Sequence, residues 1–183
     1  MTKIYDGRPK DESGRLEKEI KTYDLLDSLN VAYRRTDHAP AMSMDVCDDI
    51  NKCLGAVMCK NLFLCNRQET EFYLLMMPGS KKFKTKYLSA QLGVARLSFA
   101  KEEYMERFLG LTPGSVTVMG LMNDAERRVR LVIDREVLSL EYVGCHPCVN
   151  TSSIRFRTKD LLDTVLPALR HEPVIVDLPG EPE

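Results

Sequence analysis

The chain has 183 residues, of which 44% are apolar and 29% charged, and its net charge is −1. These values describe a chain able to bury a core as one compact domain, and they exclude a disordered polymer or a uniformly basic nucleic-acid binder. The longest apolar runs, 61–65 and 72–77, fall far short of the roughly 18 residues that a membrane helix needs, so no membrane partner is expected.

In chain order, residues 1–15 are charged and lack an apolar signal core, which predicts a flexible segment ahead of a domain over 16–179 in a reducing, cytoplasmic setting. Leu16, Ile20, Tyr23, Leu26 and Leu29 recur at helical spacing, and Asn30 is a stop. Residues 31–36 alternate as a strand. A turn from Asp37 through His38 and Ala39 to Pro40 follows, then a helix capped by Ser43 that runs to Leu54 and ends at Gly55. Strands over 57–66 and 71–77 make a hairpin closed by Pro78 and Gly79.

Further on, 87–92 reads as a short helix ended by Gly93, 96–99 as a short strand, and 101–109 as a helix ended by Gly110. Pro113 and Gly114 introduce the apolar stretch 116–121. Residues 129–134 form a strand rich in branched side chains, two extended segments surround 144–151, a helix covers 159–169 and a last strand 174–178. The fold class expected is α/β mixed (α+β), a single domain whose largely antiparallel mixed central sheet or partial barrel is flanked by helices.

Cys47, Cys53, Cys59 and Cys65 recur every sixth residue. On one strand Cys59 and Cys65 would stand about 20 Å apart at ~3.3 Å per residue, too far to share an ion, so small buried apolar residues are the expected role. Cys145 and Cys148 form a lone CxxC with no second pair for zinc, in a segment too extended for a redox motif that should open a helix. No metal or other cofactor is therefore expected.

Three histidines remain to be weighed. His171 follows the last helix and reads as its cap. His38 fits a surface turn and a pocket rim equally. His146 stands in the run from Gly144 and Cys145 to Pro147, where glycine permits unusual backbone angles and proline fixes the chain. Such a turn either ends a strand or aims backbone N–H groups at a developing oxyanion. Lys60 interrupts an apolar strand, where its ammonium either snorkels to water or lines a cleft and holds a phosphate or ester oxygen. Basic clusters at Lys81, Lys82, Lys84 and Lys86, at Arg127, Arg128 and Arg130, and at Arg155, Arg157 and Lys159 matter only if the fold gathers them at one mouth.

The run from Lys60 to Leu64 (KNLFL), Arg96 to Ala100 (RLSFA), Pro113 to Val116 (PGSV), and His146, Pro147, Asn150 and Thr151 together resemble the bacterial YbaK family. The likeness is closest to its branch of free-standing prolyl-tRNA editing proteins, and it runs in order over about 16–178. The resemblance implies a cytoplasmic hydrolase that removes a wrongly attached amino acid, alanine first and cysteine as an alternative, from proline tRNA without a metal. A non-catalytic tRNA- or amino-acid-binding module is the other reading, since a fold can outlive its chemistry. Residue by residue, the resemblance implies catalytic roles for Lys60, Gly144 and His146, and substrate contacts from His38, Asn61, Ser98, Pro147 and Asn150. Lys60 and Asn61 would hold the acceptor end, His146 would orient the ester or the attacking group, Gly144 and its neighbours would face the oxyanion, and either the ribose 2′-hydroxyl or His146 would activate the water. The partners implied are the acceptor end of aminoacylated proline tRNA and prolyl-tRNA synthetase, with no DNA. Ala39, Ala41, Met42 and Met44 depart from the family pattern after His38, which exposes the choice of amino acid to change.

Overall fold

The computed structural model describes residues 3–40 and 44–180. The expected cap Ser43 and the departures Ala41 and Met42 lie outside the described residues. The strands are β1 (Ile4–Asp6), β2 (Tyr33–Asp37), β3 (Val57–Cys65), β4 (Phe72–Pro78), β5 (Ser98–Phe99), β6 (Val129–Asp134), β7 (Tyr142–Cys145), β8 (Ser152–Arg157) and β9 (Val174–Val176). The helices that bear on the site are α1 (Glu17–Ser28), α2 (Met44–Leu54), α3 (Thr85–Leu92) and α4 (Glu102–Leu109). All nine strands join one mixed sheet in the order β1-β2-β8-β7-β3-β4-β6-β9, with β5 on the edge of β3. Most pairings are antiparallel, as expected; β3 with β7, β4 with β6 and β6 with β9 are parallel.

Strand β4 shows why the sheet takes this form. Each of its residues is buried, and alternate side chains feed two separate cores. Phe72, Leu74 and Met76 pack on one face with Leu109, Leu131 and Ile133, while Tyr73, Leu75 and Met77 pack on the other with Leu88 and Val132. A strand covered on both sides must be apolar at every position, which is the run seen in the sequence. The two helices flanking β5 stop where glycine was expected to stop them, with Gly93 at φ 66° and Gly110 at φ 63°.

Two expectations are corrected, and one stretch for which no element was expected is assigned. Residues 3–15 do not stand apart from the fold. Ile4–Asp6 pairs with β2, and Arg15 Nη2 reaches Asp37 Oδ2 at 2.8 Å. The apolar stretch after Gly114 forms a 3-10 helix, Val118–Asn123, whose Thr117 hydroxyl accepts from the Met119 amide. The last helix is broken in register, with a π-turn at Leu161–Val165 just before Pro167, whose ring cannot donate a helical hydrogen bond.

The feature of the fold that positions chemistry is a gap along β3. Its edge away from β4 pairs with β7 over Val57 and Met58 and with β5 over Leu64 and Cys65, and neither pairing covers Lys60 or Asn61. Glycine makes the approach to β3 possible from two directions. A Cβ on Gly144 would stand 2.5 Å from Met58 Sδ and 3.1 Å from Met58 Cα, and a Cβ on Gly79 would stand 2.5 Å from the Met58 carbonyl oxygen.

Candidate active site

The gap opens into a cleft of about 340 Å³ lined by Lys60, Asn61, Met58, His146 and Ser153, with Asp48, Ile50 and Asn51 of α2 across from them and Gly114 and Val116 at one end. The strand carrying Lys60 and the turn carrying His146 thus meet at one cavity. Their sequence separation gave no warning of this; parallel pairing of β3 with β7 brings it about.

Lys60 is half-buried, and its ammonium donates to the Lys81 carbonyl oxygen. Burial pushes its pKa below the usual lysine value. The carbonyl that holds it belongs to a loop fixed at depth, because Lys81 Nζ lies 2.9 Å from Asp134 Oδ2 and 3.1 Å from Glu136 Oε2, and Asp134 is fully buried. Burial works against the Lys81 charge, and the hydrogen bonds to Asp134 and Glu136 outweigh it, so that ammonium stays charged and faces carboxylates. Lys81 is therefore no phosphate contact, contrary to its reading as part of a basic loop. The other two clusters do not converge on the cleft either. Arg128 lies over the Phe108 ring and Arg130 over Tyr73, whereas Arg155 donates to the Gly55 carbonyl oxygen behind α2.

Asn61 is only 9% exposed. Its Nδ2 donates to the Cys59 carbonyl oxygen at 3.3 Å, but its Oδ1 is buried with no partner in the structure. A buried acceptor without a donor costs about 1 to 3 kcal/mol, a cost that a bound ligand with an N–H or O–H can remove.

His146 is held in one tautomer. Its Nδ1 lies 3.0 Å from the Ser152 carbonyl oxygen, which can only accept, so Nδ1 carries the proton and Nε2 keeps its lone pair. Burial lowers its pKa, the Ser152 carbonyl partly opposes that, and nearby His38 lowers it further, so the ring is neutral at pH 7. His38 belongs to the same network, since its Nδ1 lies 2.8 Å from the Ala39 carbonyl oxygen and its Nε2 lies 2.8 Å from Ser153 Oγ. Ser153 Oγ is also 3.4 Å from His146 Nδ1. Ser153 was legible in the sequence only as one polar position of an alternating strand; its pairing with Thr36 across β2 and β8 is what sets it between the two rings.

The remaining expected site residues are placed differently. Gly144 does not line the cleft: it is paired on both sides within the sheet, and its amide is directed at the Cys59 thiol, so its role is close packing against Met58. Pro147 is buried and does not line the cleft. Asn150 lies beside Gly114 and lines a neighbouring hollow with Arg15, Asp37 and Thr112. Ser98 pairs with Cys65 at the far end of β3, outside the cleft. His171 is structural, with Nδ1 at 2.7 Å from the Leu169 carbonyl oxygen and Nε2 at 3.0 Å from Asp124 Oδ2. Cys145 and Cys148 are buried thiols whose pKa values burial pushes up, Cys148 to about 11, so neither offers a thiolate. Among the described residues no group of three or more His, Cys, Asp or Glu side chains is arranged to hold a metal ion, and no helix is long and apolar enough to cross a membrane.

A family model described as an aminoacyl-tRNA editing domain matches residues 38–164, a span that holds Lys60, Asn61, Ser153 and His146 together. The chain belongs to the aminoacyl-tRNA editing family. It is thereby an aminoacyl-tRNA deacylase of the YbaK-like kind. Among its relatives, a prolyl-tRNA editing protein of Acetoanaerobium sticklandii is 29% identical over 136 residues, which cover 74% of this chain and 83% of that one. A prolyl-tRNA synthetase associated domain-containing protein of Danio rerio is 29% identical over 163 residues, 88% and 86% of the two chains. A crystal structure described as a candidate trans-editing enzyme for prolyl-tRNA synthetase superposes with a TM-score of 0.64 over 90% of this chain and 99% of that one, and at 12% identity that likeness speaks for the fold alone.

Proposed function

We propose that this editing-family protein acts in the cytoplasm, where aminoacyl-tRNA is made and used, and hydrolyses alanine from mischarged proline tRNA without a metal ion. A site built for proline rejects a smaller apolar amino acid by only about 1 to 3 kcal/mol, so a second site that admits the smaller group is needed for fidelity. The observation that carries the reading is the convergence of three unlike groups on one cleft: a cation on Lys60, an acceptor lone pair on neutral His146, and a buried acceptor without a donor on Asn61.

Each group matches one part of an aminoacyl ester. Asn61 Oδ1 takes an N–H of the substrate's α-ammonium, a partner that the Lys60 cation would repel. The Lys60 ammonium holds the phosphate or carbonyl oxygen of the acceptor end and balances negative charge as the tetrahedral intermediate forms. His146 Nε2 accepts from the ribose 2′-hydroxyl, whose oxygen in turn orients the attacking water. The water oxygen bonds to the ester carbon, the bond to the 3′-oxygen breaks, and that oxygen takes up a proton, leaving alanine and tRNA. The apolar side chains of Ile50, Val57 and Val116 give the cleft the walls that a methyl side chain needs. Prolyl-tRNA synthetase is the partner whose errors such a protein would meet.

The test is ester loss from alanyl-, cysteinyl- and prolyl-tRNA, all on proline tRNA. Alanyl ester should be lost fastest and prolyl ester spared, and a terminal 2′-deoxyadenosine should abolish turnover. Prolyl ester cleaved as fast as alanyl, or no ester lost at all, would overturn the reading; preference for cysteinyl ester would keep the chemistry and change the substrate.

A further inference from the structure

Among the described residues Phe99 is the most exposed of the large apolar side chains, at 61%, and it sits on β5 in the RLSFA run that the cleft does not use. Its ring stands edge-on to Phe83, 6.4 Å between centroids, and Phe83 is itself packed on the core beneath α3. The platform is therefore backed by the core. A lone exposed phenylalanine is ordinary, but one braced by a second ring, at the edge of a sheet and next to a nucleic-acid substrate's site, is the arrangement on which unpaired bases stack.

Its position relative to Lys60 follows from the strand. Phe99 lies opposite Leu64 on β3, and Leu64, Leu62 and Lys60 share one side of that strand. Four residues at ~3.3 Å put Phe99 about 13 Å from Lys60 along the sheet. A stacked strand advances about 3.4 Å per nucleotide, so this is the reach of a few nucleotides. Charge is complementary as well: Lys82 precedes Phe83 in sequence and Arg96 precedes β5, both of them exposed.

We propose that Phe99, braced by Phe83, is a stacking platform for an unpaired nucleotide of the tRNA 3′ end, upstream of the terminal adenosine whose ester lies in the cleft. This rests on the deacylase reading for the location of the terminal adenosine. It assigns to the RLSFA run a role that its Ser98, remote from the cleft, does not have.

The experiment compares wild type, Phe99→Ala and Phe99→Tyr on two substrates, alanyl-tRNA on proline tRNA and 3′-alanyl-adenosine, which lacks every upstream nucleotide. Loss of one stacked base should lower kcat/KM of Phe99→Ala on the tRNA about 5- to 150-fold, leave its rate on alanyl-adenosine unchanged, and leave Phe99→Tyr near wild type on both. Titration of uncharged proline tRNA needs no hydrolysis and should show a similar loss of affinity for Phe99→Ala. Equal binding and equal tRNA kinetics in wild type and Phe99→Ala overturn the platform, whether or not the substitution alters self-association, and so does an equal loss on alanyl-adenosine. Weaker tRNA binding by Phe99→Ala together with no ester loss by wild type would support the platform and remove the deacylase reading.

Discussion

At the scale of single residues, the site is defined by what is left unsatisfied. His146 donates from Nδ1 and keeps Nε2 open, and Asn61 buries an oxygen with nothing to accept from. The pH consequence follows from the sign of the histidine shift. Because burial favours the neutral ring, deacylation should already be level at pH 6.5, the ordinary histidine value, should fall on the acid side only when Nε2 is protonated at a lower pH, and should fall on the alkaline side as Lys60, lowered by burial, loses its proton. A pH profile of single-turnover rates checks this, and an acid limb centred above 6.5 would contradict it. Asn61 permits a sharper separation of binding from stability. Asn61→Leu removes a buried acceptor that has no donor and sacrifices one long hydrogen bond, so stability should change by no more than about 1 kcal/mol. KM should nevertheless rise about tenfold, since the proposed α-ammonium contact is gone; a thermal melt paired with steady-state kinetics reads both.

At the scale of elements, the central geometry is the clasp around Met58. Gly144 on β7 and Gly79 after β4 both press against it, and this fixes the start of β3 and so the bearing of Lys60. Gly144→Ala places a methyl group inside contact distance of Met58 Sδ and of backbone, which should destabilise the fold by about 1 to 3 kcal/mol. Denaturant unfolding measures it, and an unchanged midpoint would show that the strands part freely. Much of this was legible beforehand. The glycine stops, the hairpin, the all-apolar β4 and the isolation of Lys60 follow from local pattern. The function of Gly144 was not legible, because a glycine that feeds donors to an oxyanion and a glycine that admits a neighbouring strand look alike until the pairing partner is known. The edge strand β1 was hidden by its charged surroundings, with Asp6 paired to Arg34 and Tyr5 placed under Arg35.

At the scale of the molecule, the fold turns distant motifs into one site by parallel pairing at the sheet centre, and it sends Arg128, Arg130 and Arg155 elsewhere. His38 and Ser153 illustrate the limit of reading in one dimension. They are 115 positions apart, yet they share a hydrogen bond beside His146. Charge counting failed for a related reason: Lys81 belongs with Asp134 and Glu136, and only the fold shows that its ammonium is already engaged. The proposed chemistry requires Lys60 and His146 to act on the same aminoacyl ester. The most direct measurement is single-turnover deacylation of alanyl-tRNA on proline tRNA by Lys60→Ala, His146→Ala and the double variant. Groups that serve one transition state should each cost about 10²-fold or more, and the double variant should be little worse than the poorer single one. Near-wild-type rates in either single variant, or losses that multiply in full, would show that the two side chains do not work on one bond.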